Sequence, residues 1–240
     1  MIETMVHSPA QWLDATGPDA DIVISTHCRL VRNLADYPFP AQSTDEVKDL
    51  IEGRILDALH NMGFMSEGQY YPLTELDELE AQFLVERKLI SPNLISSTGS
   101  RGVYFNEQQT MSICINDADH LTLCGHASGQ QLQEVWSTVS RADDTLTGVL
   151  DMAFSDDRGY LTAHLSDVGT GLFATSILHL PALTMLNSIH SIETDQRLQP
   201  LNPQQNMTHG ECYRLSSPSS LGLSELEIVY HLSQAIDAIV

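Results

Sequence analysis

Apolar and polar residues alternate with a period of two near the middle of the chain, which predicts a β-strand with one face in a core. The apolar positions are Met111, Ile113 and Ile115, and the polar positions between them are Ser112, Cys114 and Asn116. Residues 101–105 and 110–115 are predicted to pair as a hairpin, and a shorter strand is predicted over residues 21–25.

Apolar residues recur at helical spacing in four other stretches. One helix is predicted from Thr44 or Asp45 to about residue 62, where Gly63 would end it, and a second over residues 73–88. The fourth helix begins with a capping-box pattern formed by Ser224 and Glu227. The apolar face of the third helix consists of Leu132, Val135, Trp136 and Val139, extended by Leu146, Val149 and Met152. The apolar face of the fourth helix consists of Leu226, Tyr230, Ile236 and Ile239.

Length and composition predict one domain over residues 1–240, with residues 1–20 as an N-terminal arm anchored by Trp12 and Leu13. The formal net charge of −21 argues against nucleic-acid binding, which relies on lysine and arginine. No apolar run is long enough to cross a membrane and no signal peptide is evident. The four cysteines lack a framework spacing, which predicts reduced thiols and a cytoplasmic location.

The predicted strand runs into a polar turn that places Asp117, Asp119 and His120 within four positions. Such a density of titratable groups is typical of a functional site. The turn resembles the Asn-Glu-Glu-Asp-His-x-Arg motif of the ATP:guanidino phosphotransferases, which include phosphagen kinases and bacterial protein arginine kinases. In that family the second glutamate orients and deprotonates the guanidinium, and the arginine binds ATP phosphate. Those two positions are Ala118 and Thr122 in this chain.

Residues 25–33 are similar to the family segment Ser-Ser-Arg-x-Arg-Leu-x-Arg-Asn. The resemblance implies that Ser25 begins the nucleotide pocket and that its first two arginines contact phosphate. The first is His27 here and the second is retained as Arg29. Arg32 matches the third arginine, for which we predict a structural role.

Residues 154–175 are similar to two further family motifs, Ala-Phe-Asp-x-x-x-Gly-Tyr-Leu-Thr and Cys-Pro-Thr-Asn-x-Gly-Thr-Gly-x-Arg-Ala-Ser. The reactive cysteine of the second motif is His164 here, and its phosphate-binding arginine is Phe173. The glycines Gly169 and Gly171 remain. Residues 193–209 are a shortened, divergent loop without the family's second catalytic glutamate. The likeness covers nearly the whole chain from about residue 21 and is closest to the protein arginine kinase branch, without its C-terminal domain.

Phosphoryl transfer depends on positioned cations and carboxylates, and one arginine-finger cation is worth about a thousandfold or more in rate. The site positions are therefore predicted to be degenerate: Asp117, Ala118 and His164 in the catalytic set, and Ser25, His27, Arg29, His120, Thr122 and Phe173 in a vestigial nucleotide pocket. A zinc site at His120, Cys124 and His126 lacks a second spaced pair of ligands, so no metal is expected. Ser166, His164 and Asp167 are close in sequence, but adjacency is not the geometry of a catalytic triad.

The resemblance implies an α+β fold, an antiparallel β-sheet flanked by helices. We predict a catalytically inactive pseudokinase related to protein arginine kinase that acts by protein–protein interaction and needs no cofactor. Its partner would be an active arginine kinase or a quality-control component, and its acidic surface would suit a basic partner face. One alternative is a nucleotide- or small-ligand-binding domain with a remodelled pocket, which would bind Mg-ATP. Another is a residual guanidino kinase.

Overall fold

A computed structural model describes residues 5, 9–61, 68–186, 198–200, 211–217 and 220–240. Ten strands are described, and eight of them form one antiparallel sheet in the order β2-β3-β4-β5-β1-β8-β10-β9. The other two, β6 and β7, form a separate hairpin. The strands are β1 Val23–Arg32, β2 Gly68–Pro72, β3 Gly102–Asn106, β4 Met111–Ile115, β5 Leu121–Ser128, β6 Phe154–Ser155, β7 Gly159–Tyr160, β8 Leu172–His179, β9 Leu198–Pro200 and β10 Cys212–Ser216.

Six described α-helices flank the sheet, so the predicted α+β class is confirmed. They are α1 Asp45–His60, α2 Glu78–Glu86, α3 Pro92–Ser96, α4 Leu132–Thr147, α5 Pro181–Met185 and α6 Glu225–Asp237. The Thr44 side chain caps α1, and Ser224 with Glu227 forms the predicted capping box of α6. No helix of the described chain combines the length and apolarity that a membrane span requires.

The main hydrophobic core lies between one face of the sheet and helices α1, α4 and α6. We call this the helix face of the sheet. Leu30 and Leu123 on the central strands pack there with Ile55 of α1, Val139 of α4 and Leu232 of α6. Because side chains alternate along a strand, the residues between these core positions point to the opposite side, which we call the open face.

Part of the open face is covered as well. A second core joins Leu84 of α2 and Leu94 of α3 to Val103, Phe105 and Cys114 of strands β3 and β4. All five residues of β4 are consequently buried. The prediction that β4 has only one face in a core is therefore wrong, because alternation of side chains does not reveal a second covering layer.

Several predicted boundaries and faces differ from the structure. The strand predicted over residues 21–25 extends to Arg32, and the helix predicted over residues 73–88 is a 3₁₀ turn at Leu73–Glu75 followed by α2. Trp12 is buried, but Leu13 is 46% exposed and is no anchor. In α6, Leu226 and Tyr230 face outward, and Ile228 and Leu232 are buried instead.

Two predictions concern residues whose structure is not described. Gly63, the predicted end of α1, lies outside the described residues, although the helix itself ends at His60. The divergent loop over residues 193–209 also lies outside them, apart from Leu198–Pro200. This short strand pairs with β10 at the sheet edge.

Candidate active site

The polar turn after β4 is held by hydrogen bonds that occupy both ring nitrogens of His120. Nδ1 accepts from the backbone N–H of Leu34 at 3.0 Å, and Nε2 donates to the carbonyl oxygen of Pro38 at 3.0 Å. Burial lowers the pKa of His120 to about 4, so the ring is neutral at pH 7. His120 thus fastens the turn to the segment after β1, and its side chain is fully buried.

Asp119 is a second anchor of the same turn. Its Oδ1 accepts from Asn33 Nδ2 at 2.5 Å and from the backbone N–H of Ala163 at 2.7 Å. Burial raises the pKa of this carboxyl group, and the two donors oppose that shift. Asp119 therefore connects three segments, the end of β1, the polar turn and the loop that carries His164.

Asp117 and Ala118 occupy the remaining positions of the turn. Asp117 Oδ2 accepts from the Ser91 hydroxyl at 2.7 Å, and its Oδ1 is buried without a hydrogen-bond partner among the described residues. Ala118 presents only a methyl group. Of these two positions, only Asp117 retains a carboxylate that is able to accept a proton or orient a cationic group.

Arg29 lies on the open face of β1, next to Phe173 on the neighbouring strand β8. Its Nη2 donates to Asp167 Oδ2 at 2.9 Å, and its guanidinium carbon lies 5.5 Å from the centre of the Phe173 ring. Asp167 belongs to the loop between β7 and β8 and its side chain is 6% exposed, whereas that of Arg29 is 35% exposed. The one arginine retained among the predicted phosphate contacts is thus paired with a carboxylate of the chain itself.

His27 is buried in a chain of polar side chains that crosses β1 and β5. Its Nε2 bonds to the Ser25 hydroxyl at 2.8 Å, and its Nδ1 lies 2.8 Å from Nδ1 of His126, its cross-strand neighbour. Burial lowers the pKa of His27 well below its ordinary value, and His126 lowers it further. Burial also lowers the pKa of His126 to about 3. Both rings are therefore neutral at pH 7, so His27 supplies no cation in place of the family arginine.

Arg32 points to the helix face and holds the turn Gly169-Thr170-Gly171, which we call the glycine turn and which lies between Asp167 and Phe173. Its guanidinium donates to the carbonyl oxygen of Thr170 at 2.8 Å and to Asp143 of α4 at 2.7 Å. It also stacks on Tyr160, with 3.4 Å between the guanidinium carbon and the ring centre. The predicted structural role of Arg32 is confirmed.

Gly171 in this turn has φ +70°, and a Cβ there would lie 2.7 Å from the Val31 carbonyl oxygen. Glycine is therefore required at this position, because other residues would meet both backbone strain and a steric clash. The turn packs directly on the end of β1.

The predicted site residues fall into separate groups. Arg29 and Phe173 lie together with Asp167, and Ser25 and His27 form part of the histidine chain. Thr122 is buried on the open face beside Val31, and His120 lies inside the fold. His164 is exposed on the loop before Asp167, and its backbone oxygen accepts from the Thr162 hydroxyl and from the Asp167 N–H.

Two contacts that the sequence alone did not reveal shape this site. They are the pairing of Arg29 with Asp167 and that of His27 with His126, over 138 and 99 positions along the chain. The second follows from the register of β1 and β5, which the sequence analysis did not predict. Within the described residues, no group of three or more His, Cys, Asp or Glu is arranged to hold a metal ion.

This fold, with its sheet, polar turn and glycine turn, defines the catalytic-domain class of guanidino kinases. A family model described as "ATP:guanido phosphotransferase, C-terminal catalytic domain" matches residues 50–240. The chain belongs to this family. It is 35% identical over 238 residues to the protein-arginine kinase of Desulforamulus reducens and 36% identical over 236 residues to that of Halothermothrix orenii. Both alignments cover 96% of this chain and 67% of the relative.

Solved structures show the same architecture. The duplicated taurocyamine kinase from Schistosoma mansoni with bound transition-state-analogue components superposes with a TM-score of 0.82 at 28% identity, covering 97% of this chain and 35% of that one. Lombricine kinase superposes with a TM-score of 0.82 at 23% identity, covering 96% and 70% of the two chains. At 23% identity, the similarity to lombricine kinase concerns the fold alone.

Proposed function

We propose that this chain is a catalytically inactive relative of protein arginine kinase that acts through protein–protein interaction in the cytoplasm. The observation that carries the proposal is the pairing of Arg29 with Asp167. In an ATP-dependent guanidino kinase, cations must be available to the triphosphate, because catalysis depends on stabilising its charge. Here the retained arginine is already neutralised by a nearly buried carboxylate.

The other site positions support the same conclusion. His27 is neutral within the histidine chain, Thr122 and Phe173 carry no charge, and Ala118 replaces the carboxylate that would deprotonate a guanidinium. The Asp117 carboxylate remains, but it is bound to Ser91. The fold is retained, whereas the residues at the predicted phosphoryl-transfer positions are replaced or are bonded to other residues of the chain.

A phosphotransfer assay tests the inactive state. We expect no transfer of radiolabel from Mg-ATP to free arginine or to an arginine-rich protein, under conditions in which a protein-arginine kinase relative is active. Ala118→Glu alone should not restore transfer, because the cations of the phosphate site are also missing. Transfer by the unmodified chain above the background of a heat-denatured sample would refute the inactive state and make the chain an arginine-kinase-type enzyme.

The interaction role requires its own test. The net charge of −21 favours a partner with a basic face. We expect the chain to form a complex with an active arginine kinase or a quality-control component of the same cell, and the complex to persist at moderate salt. Co-elution in size-exclusion chromatography measures this, and complete dissociation on raising the salt would indicate non-specific charge attraction.

A nucleotide-binding domain with a remodelled pocket is the second candidate, and the partial exposure of Arg29 favours it. We expect Asp167→Asn to free the Arg29 guanidinium and to increase affinity for Mg-ATP about tenfold or more relative to the unmodified chain. Isothermal titration calorimetry measures the affinity, and Asp167→Asn combined with Arg29→Gln is the matched control. Equal affinity of the unmodified chain and Asp167→Asn would show that the ion pair does not block the pocket.

A further inference from the structure

Helix α6 carries apolar side chains on two opposite sides. Ile228 and Leu232 face the core, whereas Leu226 is 72% exposed and Tyr230 is 59% exposed. A surface helix normally has one apolar face and a polar face opposite to it. The two outward residues are four positions apart, so their side chains are neighbours on the outer side of the helix. The side chains of α6 are thus distributed as in a helix that is covered on both sides.

The loop before α6 extends this apolar surface. Leu221 is 61% exposed and lies beside the glycine turn, since a Cβ on Gly169 would lie 3.3 Å from Leu221 Cα. The Ser220 hydroxyl donates to the carbonyl oxygen of Ser166 at 3.1 Å. This bond holds the loop that carries Leu165, which is 88% exposed, next to the start of α6.

The β6–β7 hairpin lies at the same end of the domain. Tyr160 of the hairpin pairs with Gly169 of the glycine turn. Phe154 contacts Tyr160, with 5.2 Å between the ring centres, and is 55% exposed. Single exposed apolar residues are ordinary on protein surfaces, but a group of them is typical of an interaction site. We call this group the apolar patch, and it consists of Phe154, Leu165, Leu221, Leu226 and Tyr230.

Acidic side chains lie around the apolar patch. Asp156 and Asp157 are exposed at the turn of the hairpin, and Glu225 and Glu227 lie on either side of Leu226 in the first turn of α6. We call these four carboxylates the acidic rim. The exposed cation at the hairpin turn, Arg158, offsets only part of their charge. The rim therefore favours a partner whose charged residues are lysine and arginine.

A second copy of this chain does not match the patch. Two copies would bring the same acidic rim together, and each copy carries a net charge of −21. A helix of another protein matches it better, because side-chain ridges with a spacing of four residues pack into the grooves of a facing helix. A cationic amphipathic helix complements both the ridge of α6 and the charge around it.

We propose that the apolar patch is a docking surface for an amphipathic helix of a partner protein. The apolar stripe of that helix would pack on Leu226 and Tyr230, and its lysine or arginine residues would lie opposite the acidic rim. The inference rests on the proposed interaction role and gives it a location and a partner chemistry. Helix α6 covers the helix face of the sheet, whereas Arg29 lies on the open face, so docking requires no change at the Arg29–Asp167 pair.

The test is fluorescence anisotropy with a labelled synthetic peptide of about 18 residues, or five helical turns, that has leucine on one face and lysine elsewhere. We expect saturable binding at physiological ionic strength. A peptide of the same composition in scrambled order, and one with glutamate in place of lysine, should each bind about tenfold or more weakly. Equal affinity for the scrambled peptide would show attraction by charge alone and overturn the proposal.

Leu226→Gln combined with Tyr230→Gln is the decisive variant, because both side chains are exposed and their replacement leaves the core intact. We expect unchanged thermal unfolding and about tenfold or more weaker binding of the leucine–lysine peptide. Leu79→Gln is the matched control, since Leu79 is 80% exposed on α2, which covers the open face. It should bind the peptide like the unmodified chain. Equal affinity in the double variant would overturn the proposal.

Two further measurements distinguish the patch from the proposed function. In sedimentation velocity, a dimer of the unmodified chain that dissociates in the double variant would assign the patch to a second copy and overturn the proposal. A complex with an arginine kinase or quality-control component that persists in the double variant would leave the interaction role in place and overturn the patch as its site. Peptide binding at the patch without any such complex would support the docking surface and refute the interaction role.

Discussion

Replacing Arg32 with methionine is expected to lower the free energy of unfolding by about 3–5 kcal/mol. Arg32 is 1% exposed, and its guanidinium bonds to Asp143 and to the Thr170 carbonyl oxygen while stacking on Tyr160. Methionine fills much of the same volume but leaves the Asp143 carboxylate buried without its cation. Burial already raises the pKa of Asp143, and Arg32 counteracts that shift. Urea denaturation followed by circular dichroism measures the loss.

Two variants show whether the loss comes from the buried charge. Adding Asp143→Leu to Arg32→Met should recover part of the stability, because the unpaired carboxylate is then removed. Arg54→Met, a change of an exposed arginine on α1, should alter stability by no more than about 0.5 kcal/mol. A change below about 1 kcal/mol for Arg32→Met would mean that the glycine turn does not depend on this residue.

Acid is expected to unfold this domain over the range from about pH 6.5 to pH 4, mainly through its buried histidines. The pKa values of His27, His120 and His126 are all lowered by burial, to about 4 for His120 and about 3 for His126. The unfolded chain therefore takes up protons below about pH 6.5 that the folded chain refuses. Stability contributed by the neutral rings is fully present above that pH and declines as the pH falls. We expect a loss of about 3 kcal/mol from His126 alone by pH 4.

Two carboxyl groups oppose this effect. Burial raises the pKa of Asp119 and of Asp143, so the folded state takes up their protons before the unfolded state does. Their contribution increases stability as the pH falls towards the ordinary aspartate value. It begins later than the histidine effect, which starts near pH 6.5, so the net result at mildly acidic pH is destabilisation.

The double variant His27→Leu with His126→Leu isolates the contribution of the histidine pair. It removes two titrating groups from beneath Trp12 and replaces them with apolar side chains. We expect its stability to fall less steeply between pH 6.5 and pH 5 than that of the unmodified chain, in urea titrations at each pH. The same slope in both proteins would locate the acid sensitivity elsewhere.

Local patterns in the sequence were sufficient to predict most helices and strands of this fold. Thr44 and Ser224 begin their helices as predicted, because a hydroxyl before a run at helical spacing satisfies the first free N–H groups. The motifs of residues 25–33, 116–122 and 154–175 were sufficient to predict the family, which the family model and the relatives confirm. They also showed that Ala118, Thr122 and Phe173 lack the family's charges.

The faces of the elements were less predictable. Leu226 and Tyr230 have the spacing of an apolar helix face, yet both are exposed because α6 packs through Ile228 and Leu232. Alternation in β4 indicated one buried face, but α2 and α3 cover the other. In both cases the packing of neighbouring elements decided which residues are buried. Periodicity within one element carries no information about those neighbours.

Residue identity and spacing in the sequence predicted the main helices and strands, and the resemblance of the motifs to the family implied the fold class and showed which catalytic charges are replaced. Only the tertiary structure showed that Asp167 neutralises Arg29 and that His27 and His126 share a hydrogen bond. These contacts join positions about a hundred residues or more apart. Charge pairing and burial depend on distances in space, which strand register and loop packing set and which local sequence does not encode.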